Sequence, residues 1–222
     1  MEITLTIPTD YSAIPLKKWL AFMKELKNYE EDEEATTALM LHHLCGLEPN
    51  YIKGLSVESL NEIKAELASF ISNTELPLQQ FIQIDGIEYG FEPNLSNMSY
   101  GAYLDVTKYD TFTIDDNWAK LMSILYRPVT KKQGDFYSIK AYDGNIDGDK
   151  FLNVGMDVHF GALFFLLNLS TDLLSATLNC LKGEDIPASI LTILQRSGRD
   201  IPHLLNLHQM TLANWMPLQK NP

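Results

Sequence analysis

The chain has 222 residues, 45% hydrophobic and 10% aromatic, which is enough for a real core and too apolar for a disordered chain. Its 17 basic and 29 acidic side chains leave a formal net charge of −12. Such a surface repels nucleic-acid phosphates and anionic lipid, and favours solubility or partners that offer basic patches.

The opening "MEITLTIPTD" has neither a basic n-region nor a long apolar h-region, so no secretory signal is expected. Within it, "ITLTI" alternates with period two and reads as a strand closed by Pro8. A helix follows from about Leu16 to Tyr29, with Leu16, Trp19, Leu20, Met23 and Leu26 on one apolar stripe. The acidic run Glu30 to Glu34 precedes a second helix, around Ala35 to Cys45, which ends at Gly46. A third helix spans Val57 to Ile71, with Ser56 as N-cap and Leu60, Ile63, Leu67 and Phe70 inward.

In "QFIQIDGIEYGF" two alternating segments flank Asp85-Gly86, a pair suited to the positive φ angles of a type I′ turn, and predict a β-hairpin. "LSNMSYGAYLDV" reads as a short helix capped by Ser96 or Asn97. Another helix runs from about Asp116 to Tyr126, stopped by Pro128, and "DFYSIKAY" reads as a strand. Met156 to Leu181 predicts a long apolar helix or a kinked pair, central and buried. Its most apolar stretch, "FGALFFLLNL", is about half of what a membrane span needs, so a soluble protein is expected. "IPASILTILQRSG" gives a further helix with Pro187 in its first turn. The fold class is α+β: mostly helical, with a small antiparallel sheet and an extended C-terminal tail. Residues 1–183 form the domain, and 184–222 a helix and tail for subunit docking.

Candidate chemistry is sparse. "DGNIDGDKFLNV", residues 143–154, places Asp143, Asn145, Asp147 and Gly148 at positions 1, 3, 5 and 6 of a calcium loop. Position 12, where the bidentate Glu belongs, is Val154, and the segment before the loop reads as a strand instead of a helix. The reading is a solvated turn. "HHLC", with His42, His43 and Cys45, raises zinc, but adjacent helical histidines diverge by about 100° and no second ligand pair completes a site. His159 near Asp157, with His203 and His208 in the tail, lacks a G-x-S-x-G elbow, and His159 reads as a hydrogen-bonded core residue. Cys45 and Cys180 read as buried free thiols and not as a disulfide framework. No cofactor, metal or nucleotide site is implied.

The tail stands out. Leu204, Leu205, Leu207, Met210, Leu212, Trp215 and Met216 are too apolar to sit free in water, so this segment either packs on its own domain or docks on a neighbouring subunit.

The succession "IPTDYSAIPLKKWLAFM", "LPLQQFIQIDGIEYGFEPNLSNMSYGAYLDV", "NWAKLMSILYRPV" and "MDVHFGALFFLLNLSTDLLSATLNCL" resembles a family encoded in the structural gene blocks of tailed bacteriophages, particularly crAss-like phages of gut Bacteroides. The resemblance covers about residues 1–182 and carries no catalytic signature. It implies a non-enzymatic virion or morphogenesis protein: a subunit of a ring in the head–tail junction or tail barrel, or alternatively a tail-assembly chaperone absent from the mature particle. Its partners would be copies of itself and other tail or portal-proximal proteins, with assembly in the host cytoplasm and no membrane or specific nucleic-acid binding. Closed rings use heterologous interfaces, where an apolar tail adds contact area, and an acidic lumen would repel passing DNA. From a different class, a soluble enzyme with a site scattered along the chain is the remaining alternative.

Overall fold

In the computed structural model, which describes residues 7–29, 32–71, 76–134 and 136–182, helices surround one face of a small antiparallel sheet. The α+β class expected from the sequence is what the chain adopts. Most of the "ITLTI" strand, Glu30 and Glu31, the helix beginning near Pro187 and the whole apolar tail lie outside the described residues.

Helix α1 spans Leu16–Leu26 and α2 Glu33–His43. Leu16 and Phe22 of α1 are buried, while Trp19, Leu20, Met23 and Leu26 pack half-buried against the same core. The stripe read from sequence is therefore right but incomplete, because Phe22 faces inward as well. Asp32 caps α2 by accepting from the Ala35 N–H, and the chain reverses at Gly46, whose φ is +73°. A short helix α3, Pro49–Ile52, leads to α4, Val57–Ile71. Ser56 Oγ accepts from the Ser59 N–H at 3.1 Å, the expected N-cap. Leu67 of α4 joins Leu41 and Leu47 in a small second core, with Leu60 and Ile63 beside it.

Strands β1, Phe81–Ile84, and β2, Ile87–Phe91, form the expected hairpin, with Ile84 opposite Ile87. Asp85 and Gly86 take φ angles of 51° and 77°, as a type I′ turn demands. Helix α5, Tyr100–Val106, is capped by Ser99, whose Oγ accepts from the Ala102 N–H. That corrects the choice of Ser96 or Asn97, which lie instead in a preceding 3-10 turn, Leu95–Asn97.

Helix α6, Trp118–Leu125, passes without a loop into β3, Tyr126–Gln133, and β4, Phe136–Ile139, completes the order β1-β2-β3-β4. Pro128 therefore does not end an element but sits inside an inner strand. Its carbonyl accepts from Lys140 N–H at 2.8 Å, so its donor-less nitrogen also faces β4, at the point where that strand has ended.

Helix α7 is continuous over Met156–Lys182. Met156, Val158, His159 and Ala162 are buried, but Asn168, Thr171, Asp172 and Ser175 are exposed and most residues between Leu163 and Leu174 are only half-buried. The helix is thus central over its first two turns and only partly covered from Leu163 to Ser175, where Ser170 and Leu173 are the buried positions, a correction to the fully buried helix expected. Residues Met156–Ser175, at mean hydropathy 1.3, are long and apolar enough by length and composition to cross a membrane, which the shorter stretch counted from sequence is not. The first of those turns lie in the core, where Trp118, Tyr126 and Phe151 meet them beneath the sheet.

Candidate functional site

The sheet packs Ile82, Ile84, Tyr89, Phe91 and Tyr126 on the core. Its hairpin geometry leaves one edge without a partner strand among the described residues. Gln80 C=O accepts from Phe91 N–H at 2.9 Å, and the two-residue turn pairs Ile84 with Ile87. Even-numbered residues of β1 therefore bond to β2, and Phe81 and Gln83 turn their N–H and C=O groups the other way. Among the described residues no hydrogen bond reaches those four groups.

A cleft of about 570 Å³ runs along this edge. Its opposite wall is the segment from the 3-10 turn Asp149–Asn153 to the start of α7. That wall is held by the segment entering α1: Leu16 N–H donates to Val154 C=O and Met156 N–H to Ile14 C=O. Lys17 Nζ adds a 2.7 Å hydrogen bond to Asn153 Oδ1. Ile82, Ile84, Val154 and Val158 give the cleft an apolar side. Gln83, Asp85, Glu88, Lys150 and Asn153 give it a polar rim. Gln79, which also lines the cleft, donates to Asp157 and accepts at its backbone C=O from Tyr126 Oη, whose phenol burial pushes well above its ordinary pKa.

The sheet's other face is a platform of rings and charges. Tyr137 lies over Gly90, donates from Oη to Phe91 C=O at 2.7 Å and meets Phe81 edge-on at 4.7 Å. Lys132 sits 3.5 Å above the Phe81 ring and pairs with Glu88. Arg127 pairs with Glu92 at 2.5 Å with both side chains nearly buried, and its guanidinium lies over Tyr142. Tyr142 in turn donates to Asp105, which also takes Lys108; these hydrogen bonds hold the Asp105 carboxyl below its usual range. Phe136, at the tip of the β3–β4 hairpin, is 84% exposed.

Among the described residues the chemical candidates from sequence do not form a metal-binding group. In the calcium-like loop Asp143 faces Lys140 and caps Asn145 N–H, while Asp147 faces Lys150. Gly148, at the position where a calcium loop turns sharply, has φ −78°; a Cβ there would lie 2.8 Å from the backbone of Ala119 and Lys120. The glycine serves close packing on α6, as a turn reading allows.

His42 and His43 do not diverge as expected: their rings lie 4.9 Å apart. Each nevertheless has its own partner direction, His42 Nδ1 to Leu47 C=O at 3.0 Å and His43 Nε2 3.2 Å from Glu25 but off the hydrogen-bond line. Cys45 is half-buried, and desolvation raises its thiol to about 11, far from a reactive thiolate. The side chain of Cys180, and the tail residues His203, His208, Leu204, Leu205, Leu207, Met210, Leu212, Trp215 and Met216, lie outside the described part.

His159 is a core residue, as read. Its Nδ1 accepts from Trp118 Nε1 and its Nε2 donates to Phe151 C=O, both at 3.2 Å. Asp157 faces Gln79 instead, so the two do not form a relay. The open edge was missed by motif reading because strand geometry, and no residue type, defines it. A hairpin with no further strand-like segment adjacent was the available signal.

Comparisons with protein-family models, with curated proteins and with solved structures find no match.

Proposed function

We propose that this chain is a non-enzymatic structural protein of a tailed bacteriophage particle, a subunit of a ring in the head–tail junction or tail barrel that works by fitting against other polypeptides. The observation that carries the reading is the open edge of β1 with a cleft beside it. Strand edges are a recurrent means of joining one polypeptide to another, because main-chain hydrogen bonds supply affinity and alternate side chains supply register. The exposed Phe136 offers a second apolar contact. Both agree with the role implied by the resemblance over residues 1–182, and the apolar sequence from Leu204 to Met216 suits a contact with a neighbour.

Mass spectrometry of purified particles tests this directly. A ring subunit is found there in a fixed ratio to the major virion proteins and appears as a closed ring in images of the particle. Absence from particles, with co-purification of an unassembled tail protein instead, would move the assignment to an assembly chaperone. Turnover of a small molecule by the purified chain would move it to an enzyme.

A further inference from the structure

We infer that the cleft beside β1 receives residues 209–213 of a second copy of this chain, added as a fifth strand to the sheet. The inference rests on the ring-subunit reading and names the surface that would join its copies.

Three observations converge on this occupant. The first is the receptor. Phe81 and Gln83 present two N–H and two C=O groups at strand spacing, and none of the described residues hydrogen-bonds to them. The cleft beside them is two-sided, apolar at Val154 and Val158 and polar at Lys150 and Asn153. An occupant strand must therefore alternate, with its apolar residues on one face only.

The second is the segment. Gln209-Met210-Thr211-Leu212-Ala213 alternates in that way, placing Met210 and Leu212 on one face and Gln209 and Thr211 on the other. From Leu204 to Met216 there is no proline and no acidic or basic residue apart from His208, so every backbone donor is present and no charge has to enter the cleft.

The third is reach and charge. About 28 residues separate the end of α7 from Met210, and with the helix expected from Pro187 to Gly198 counted at its shorter rise they reach up to about 70 Å. A domain of this size is roughly 40 Å across, so the segment clears its own subunit. Residues 196–222 hold three of the 17 basic side chains and one of the 29 acidic ones, so the end of the chain is weakly positive and everything before it strongly negative. A neighbour's body attracts this end, although two bodies repel each other. At the cleft itself the charge is mixed: Asp85 and Glu88 stand on the β1–β2 side, Glu88 paired with Lys132, and Lys150 on the opposite wall, so the attraction comes from the body as a whole.

The test uses the full chain with Cys45 and Cys180 replaced by serine. Copies carrying Gln83→Cys are mixed with isotopically heavy copies carrying Thr211→Cys, then oxidised and digested. A light–heavy 83–211 disulfide is expected. In parallel, Gln83→Pro removes the outward N–H without costing a hydrogen bond to β2, since this residue gives none, and Gln83→Ala controls for the lost side chain. The proline variant should raise the concentration at which light scattering detects assembly by about tenfold, the effect of one lost hydrogen bond plus imperfect fit. If copies assemble but the mixed link is missing, the inference falls and the ring reading stands. If the chain is monomeric at every concentration and a Gln83→Cys/Thr211→Cys chain links to itself, both fall.

Discussion

Trp118 Nε1 donates a hydrogen bond to His159 Nδ1 across 3.2 Å at the centre of the core, with both side chains fully buried. The bond fixes the tautomer, because the acceptor Nδ1 must be unprotonated and the proton must sit on Nε2, where it is given to Phe151 C=O. Burial reinforces this and lowers the pKa of His159 to about 4, against the opposing pull of its backbone hydrogen bonds.

Stability should therefore fall as pH drops from 6.5 toward 4. Above that window His159 is neutral in both folded and unfolded chains and contributes no pH dependence. Within it the unfolded chain binds a proton that the folded chain refuses, so unfolding is favoured, by about 2 kcal/mol between pH 7 and 5. His159→Gln keeps a donor and an acceptor and cannot titrate. Urea midpoints at the two pH values should converge for this variant relative to the parent. Equal pH slopes in the two proteins would show that His159 is not held neutral.

Gly90 is needed because of Tyr137. A Cβ at position 90 would lie 2.9 Å from Tyr137 Cε2 and 3.0 Å from Ile139 Cγ2, and the Tyr137 ring is tethered through its hydroxyl to Phe91 C=O. Gly90→Ala should cost about 1–3 kcal/mol through overpacking. Removing the ring first makes room, so Gly90→Ala combined with Tyr137→Ala should cost clearly less than the two separately. Additive losses in a denaturant series would mean the ring does not press on this strand.

Much of this architecture is legible from local chemistry. The α4 boundaries, the Ser56 cap and the Asp85-Gly86 hairpin follow from residues whose effects act within a turn or two. Strand β3 was not legible, because "YRPV" follows a helix directly and carries a proline. Only the tertiary arrangement shows that the proline nitrogen points past the end of β4. The candidate site is further from reach. Phe81 and Gln83 face Asn153 and Val154 across the cleft, some seventy positions apart in sequence, and what turns the edge outward is a strand's phase, which no single residue announces. Phe22 escaped the α1 stripe for a related reason: that helix is covered on more than one side, so a single stripe undercounts its buried face.

Arg127 and Glu92 form a pair whose side chains are only 12% and 8% exposed. Arg127 also gives a hydrogen bond to Ile124 C=O, while its Nε has no partner among the described residues. Breaking such a pair from one side strands a buried charge. Glu92→Gln should thus cost about 3–5 kcal/mol, whereas Arg127→Met with Glu92→Leu should recover most of that loss. Thermal unfolding of the three variants measures this, and a double variant less stable than Glu92→Gln would contradict it.

Gly148 separates the two readings of the 143–154 loop. If the loop existed to hold calcium, its glycine would serve the turn around the ion, and stability would respond to the metal. In the structure the glycine's φ is −78°, a value open to any residue, and what forbids a side chain is the backbone of Ala119 and Lys120 at 2.8 Å. Gly148→Ala should consequently destabilise the chain by about 1–3 kcal/mol, by pushing the loop off α6. The loss should be the same with or without millimolar calcium. Asp143→Asn, which weakens the exposed and solvent-screened pairing with Lys140, should leave the melting temperature essentially unchanged under either condition. A rise in melting temperature with calcium that Asp143→Asn abolishes would restore the ion-binding reading, because only a bound cation couples that carboxylate to folding.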